Sequence, residues 1–175
     1  MSKLLTGVLL VAVLAACGGC KDSRGAAPAA AAAADLSEPT VAQPRLPTMK
    51  LWLGPEEMVA ELAVTAKQMQ TGMMFRTNME ANAGMLFVFP RAHQTAFWMK
   101  NTLVPLSAAY IDPEGVILEI HALEPFNTNS VVAQSDRVQY VLETPQGWFD
   151  RHNLHTGIVV RTEQGSLRKT FFGAQ

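Results

Sequence analysis

The tetrapeptide Asp112-Pro113-Glu114-Gly115 constrains the fold of this chain more than any other stretch. Pro presets a turn dihedral and Gly can take a positive φ, so the chain has to reverse here. Segments 106–111 and 116–121 flank it with strand-like composition, which predicts an antiparallel hairpin. Other strand signals surround this unit. Residues 48–53 and 58–64 flank the turn Gly54-Pro55-Glu56-Glu57, and 85–89 is a continuous apolar run closed by Gly84 and Pro90. In 137–143, Val138, Tyr140 and Leu142 alternate with Arg137, Gln139 and Glu143, and Val141 is the exception. Residues 158–162 read as a last strand. Two short helices are predicted: 66–70, with Thr65 as N-cap and Gly72 near its end, and a second within 146–153. This pattern predicts a mainly β domain, a sandwich or a partly open barrel.

The N-terminus points to a compartment. Lys3 precedes a short apolar run that is too short to span a bilayer, so 1–16 has the layout of a secretory signal. The run Leu14-Ala15-Ala16-Cys17 resembles a bacterial lipobox, with Cys17 as the lipidated residue. An ordinary cleaved signal is the alternative. Cys20 fits a lipobox less well, because Gly18 and Gly19 precede it. These two are the only Cys in the chain. Assigning them to the anchor leaves the domain no disulfide framework, thiol nucleophile or Cys-based zinc site. A lipid at Cys17 implies an extracytoplasmic, membrane-tethered protein. Gly18 after the modified Cys favours the outer membrane by resemblance to enterobacterial lipoproteins.

Residues 17–47 read as lipid anchor and disordered Ala/Pro tether, with Pro39, Pro44 and Pro47 at short intervals and little apolar surface. Residues 48–175 are then one domain of ordinary size. The net charge of −1 gives no electrostatic footprint for nucleic acid.

Segment 97–102, Phe-Trp-Met-Lys-Asn-Thr, mixes a large aromatic, a cation, an amide and a hydroxyl with apolar residues. Read as a strand, it puts Phe97, Met99 and Asn101 on a core face. Trp98, Lys100 and Thr102 then form an aromatic wall with polar tips. With Gly72-Met73-Met74-Phe75-Arg76, the run 84–89 and Tyr140-Val141-Leu142-Glu143, this segment resembles the bacterial and archaeal family called domain of unknown function 192. The resemblance covers roughly 48–162. It implies a compact jelly-roll-like domain, often behind a signal peptide, and no established activity. Two positions depart from the family pattern: Ser107 stands where an Asp is usual after Pro105-Leu106, and Ile158 follows Gly157 in place of an Asp. Any acid or metal-ligand role of those Asp residues is lost here.

Arg76, Trp98, Lys100, Asn101, Thr102 and Glu143 are the candidate ligand-binding residues, suited to a small polar or anionic ligand. Each has a structural alternative: Lys100 or Arg76 pairing with Glu143 across strands, Trp98 in the core, Asn101 and Thr102 in turn hydrogen bonds. The methionines Met69, Met73, Met74, Met79, Met85 and Met99 raise a Cu(I) reading, but their interleaving with Phe and Leu suits core filling better. His152 and His155 lack a completing carboxylate at ligand spacing, and His93 has no nucleophile beside it. No cofactor, metal site or catalytic residue is assigned. Three functions stay open: a small-ligand binding module, an envelope structural or interaction domain, and a hydrolase or lyase on sugar or cell-wall material.

Overall fold

The computed structural model describes residues 37–173. The signal 1–16, Cys17, Cys20 and the tether as far as residue 36 lie outside them. The strands are β1 (Thr48–Leu53), β2 (Glu56–Ala63), β3 (Ala83–His93), β4 (Ala96–Phe97), β5 (Leu106–Ile111), β6 (Ile117–Leu123), β7 (Val131–Val132), β8 (Val138–Pro145), β9 (Val160–Thr162) and β10 (Gly165–Ser166). The helices are α1 (Ala66–Thr71), α2 (Trp148–Arg151) and α3 (Leu167–Phe172). The domain is mainly β, as its sequence predicts, with α3 in addition to the two expected helices.

Eight strands form one mixed sheet in the order β10-β9-β1-β2-β3-β8-β5-β6, not closed into a barrel, and β4 and β7 form a separate ribbon. The β2–β3 pair is parallel and every other pairing is antiparallel. A parallel pair requires a crossover, and residues 64–82 supply it with α1 inside. A reciprocal capping box starts that helix: Gln68 N–H donates to Thr65 Oγ1, and Thr65 N–H donates to Gln68 Oε1.

The 112–115 turn closes the β5–β6 hairpin as its composition dictates. Asp112 Oδ1 accepts the N–H of Glu114 at 3.0 Å and of Val116 at 2.8 Å. Gly115 has φ 88°, and a Cβ there would stand 2.8 Å from the Val160 carbonyl oxygen. Only glycine fits that approach.

The sheet is covered on both faces. On one lie Leu86, Ile111, Tyr140, Leu142, Trp148 and Phe149. On the other lie Met85, Phe87, Met99, Ala108, Tyr110 and Val141. Each large side chain so buried stabilises by about 1.5–3 kcal/mol before its ordering entropy is subtracted. The Trp148 indole N–H donates to Asn82 Oδ1 at 3.1 Å, so its polar edge is satisfied in the core. In β8 this burial takes in both sets of the alternating residues. Val138 through Thr144 are all buried, Gln139 and Glu143 included.

Segment 97–102 is not a strand. Pairing with β7 ends at Phe97, Lys100 and Asn101 form a turn, and Asn101 takes φ 55° while its carbonyl accepts the Phe75 N–H at 2.8 Å. Residues 37–47, expected as free tether, lie against the domain. Gln43 Nε2 donates to the Gly72 carbonyl, Leu46 N–H donates to Glu61 Oε2, and Pro39 is buried. Among the described residues no helix is long and apolar enough to cross a membrane.

Candidate functional site

Glu143 sits on β8 directly opposite Met85 on β3 and Ala108 on β5. Neither neighbour offers a hydrogen bond. Glu143 is 4% exposed, and its Oε2 is buried with no hydrogen-bond partner. Desolvation alone pushes its pKa up to about 8, so it is largely protonated at neutral pH. An unpartnered buried carboxyl is costly, and retaining one at a cavity marks a functional candidate.

The cavity has a volume of about 450 Å³. The end of α1 and the residues after it contribute Met69, Thr71, Met73 and Met74. Phe87 and Phe89 of β3 form an aromatic wall, and Phe97 meets Phe87 edge to face with centroids 4.9 Å apart. Trp98, Lys100 and Thr102 line another side, and Glu38 and Pro39 cross it from the N-terminal segment.

The structure thus brings together four of the six expected ligand residues: Trp98, Lys100, Thr102 and Glu143. Trp98 is 46% exposed, and Lys100 Nζ lies 5.5 Å from its ring centroid. Lys100 is also 2.5 Å from Glu38 Oε1, so neither Lys100 nor Arg76 pairs with Glu143. Thr102 is buried and turns its hydroxyl to the Lys100 carbonyl at 3.3 Å. Asn101 serves the turn and does not line this cavity.

Arg76 belongs elsewhere. Its guanidinium grips Glu61 through both oxygens, at 2.5 and 2.8 Å. Burial pushes the Glu61 carboxyl up, but Arg76 and the Leu46 N–H outweigh that and hold it below the usual range. The pair lines a separate hollow of about 500 Å³. Sequence reasoning missed both Glu61 and Glu38. Their partners come from distant segments, and neither carries a local motif.

The remaining candidates have structural partners. Met73, Met85 and Met99 are buried in the core, with Met69 and Met79 packed against it. His152 stacks on Trp148 with centroids 4.4 Å apart, and His155 Nδ1 lies 2.7 Å from the Thr156 carbonyl oxygen. Among the described residues, no three His, Cys, Asp or Glu side chains converge as a metal would need.

A family model described as uncharacterized ACR matches residues 51–162. The chain belongs to the DUF192 family. That span contains the core strands β2 to β8 and Trp98, Lys100, Thr102 and Glu143. A crystal structure from Sinorhizobium meliloti, described as a candidate transcription regulator, superposes with TM-score 0.61 at 30% identity. It covers 66% of this chain, and this chain covers 92% of it. A Novosphingobium aromaticivorans protein of unknown function gives TM-score 0.60 at 26% identity, over 65% of this chain and 83% of that one. No functionally curated protein matches. At one departure from the DUF192 pattern, the buried Ser107 hydroxyl accepts the Gly147 N–H at 2.9 Å. Ser107 therefore helps hold the start of α2.

Proposed function

We propose that this DUF192 domain is a non-catalytic binding module for a small polar ligand. Its lipid anchor at Cys17 holds it on the extracytoplasmic, outer-membrane side of the cell. The observation that carries the reading is the unpartnered Glu143 carboxyl beside an aromatic-lined cavity of about 450 Å³. A few polar groups in a largely apolar cleft give orientation and specificity, and Trp98 offers a ring face at its rim.

The interaction reading draws support from a different feature. Trp98, Leu103 and Phe126 are exposed, and Phe126 N–H donates to the Thr102 carbonyl, which brings their segments together. A hydrolase or lyase requires two carboxyls acting in one cleft. Glu38 lines the cavity with Glu143 but is committed to Lys100, which weighs against that chemistry. The described helices have 6, 4 and 6 residues, too short for a groove-reading element, so the regulator description of the Sinorhizobium protein is not carried over.

A thermal-shift screen of the full chain against sugars, organic acids, amines and alcohols tests the proposal. A ligand that raises the melting temperature of the native chain, but not of folded Trp98→Ala or Glu143→Gln variants, supports a binding module. If every hit is retained in both variants, the cavity is not the site. Lipid attachment is tested separately by mass spectrometry of membrane-extracted protein, where Cys17→Ala removes the acyl mass if the anchor assignment is right.

A further inference from the structure

Three charged side chains line the Glu143 cavity: Glu38, Lys100 and Glu143. Glu38 and Lys100 neutralise each other in their ion pair. What remains is one buried carboxyl whose Oε2 has no hydrogen-bond partner. Resting on the binding-module reading, we propose that the cavity takes the ammonium group of a small organic amine, seated between the Glu143 carboxyl and the rings of Phe87, Phe97 and Trp98.

The chemistry selects among ligand charges. An anion would have to break the Lys100–Glu38 pair to find a cation, and it would face a second carboxyl. An ammonium group supplies N–H donors to an acceptor that lacks them, and a charge-assisted bond is stronger than a neutral one. Ring faces favour a desolvated cation as well, and Phe87 and Phe97 line the cavity beside Glu143. A neutral alcohol or amide is the competitor, because it can bond to the protonated carboxyl.

Proton balance separates the two. Ion pairing needs the carboxylate, so Glu143 gives its proton to solvent as the amine seats, and no other bond forms or breaks. The groups around it are few. From β5, Tyr110 turns its hydroxyl to the Val131 carbonyl at 2.6 Å, and burial keeps that phenol neutral. From β3 come Met85 and Phe87, from α1 Met69, Gln70 and Thr71, and from the segment before β5 Thr95, Thr102 and Lys100 with its partner Glu38.

Benzylamine, benzyl alcohol and benzoate share one shape and differ in charge. Calorimetric titration of the full chain with each, from pH 6 to pH 8, is the test. Benzylamine is expected to bind roughly tenfold or more tighter than the other two at pH 8. Its affinity should weaken by up to about tenfold per pH unit on going down to pH 6, with proton release visible as a dependence on buffer ionisation heat. Glu143→Gln, shown to be folded by its thermal transition, should lose roughly tenfold or more for benzylamine and change little for benzyl alcohol. Equal binding of alcohol or benzoate, or an amine affinity flat with pH, overturns the amine assignment and leaves the binding module standing. Failure of all three probes also overturns it, whereas the binding module itself falls only with the Trp98 and Glu143 screen.

Discussion

Lys100 Nζ lies 2.5 Å from Glu38 Oε1, and this pairing leaves the buried Glu143 carboxyl without a cation among the described residues. A Lys100–Glu143 bridge would have made segment 97–102 and β8 a structural unit. The observed arrangement puts the neutral pair at one side of the cavity and an unsatisfied acid at another. A ligand donor has somewhere to go.

The first expectation concerns pH and stability. Glu143 has a folded pKa raised to about 8 against an ordinary carboxyl value of 4.5. Below the ordinary value the group is protonated whether folded or not, and it costs nothing. Between the two values the unfolded chain has lost the proton that the folded chain still holds, so stability declines with rising pH. The slope is about 1.4 kcal/mol per pH unit, and the total is on the order of a few kcal/mol. Glu143→Gln should abolish that decline. Urea unfolding of both proteins at pH 4.5, 6 and 8 should find them alike at the lowest pH and the variant more stable at the highest. Parallel pH profiles would show that Glu143 is not desolvated.

Arg76→Ala should destabilise by roughly 2–4 kcal/mol, because it strands a mostly buried Glu61 that has lost its bidentate partner. Ligand binding in the Glu143 cavity should not change. Chemical denaturation and a binding titration on the same variant check both halves. A loss of binding without a loss of stability would return Arg76 to the site.

Hairpin chemistry was fully legible in the sequence, because Asp112, Pro113 and Gly115 act through local backbone preferences. The strand reading of 97–102 failed for a non-local reason. Asn101 is held at φ 55° by the bond from Phe75, a residue of another segment. The exposure of Trp98 and the burial of Met99 still fell as their alternation suggested, whereas Lys100 is half-buried and Thr102, expected on the same face as Trp98, is buried. Glu143 was recognisable as a motif residue, but its isolation was not. That depends on Met85 and Ala108 standing opposite it and on Glu38 claiming Lys100. Helix α3 had a readable signal in Ser166, whose hydroxyl accepts the Lys169 N–H at 3.2 Å.

Gly115→Ala should cost roughly 1–3 kcal/mol or more. The new Cβ would meet the Val160 carbonyl at 2.8 Å on backbone that already has φ 88°. The thermal transition measures this. An unchanged midpoint would mean that the turn relaxes away from Val160.

Trp98→Ala should lower stability by less than about 1 kcal/mol, since the side chain is 46% exposed, and should weaken cavity binding by roughly tenfold. Matched melting curves and titrations distinguish a ligand wall from a core aromatic. A large loss of stability would assign Trp98 to the core.

The most direct measurement is a carbon NMR titration of the Glu143 side-chain carboxyl, run with and without saturating benzylamine. In the free chain the midpoint is expected at about 8, and bound amine should move it down toward the ordinary carboxylate range. A free-chain midpoint near 4.5, unmoved by the amine, would contradict the account.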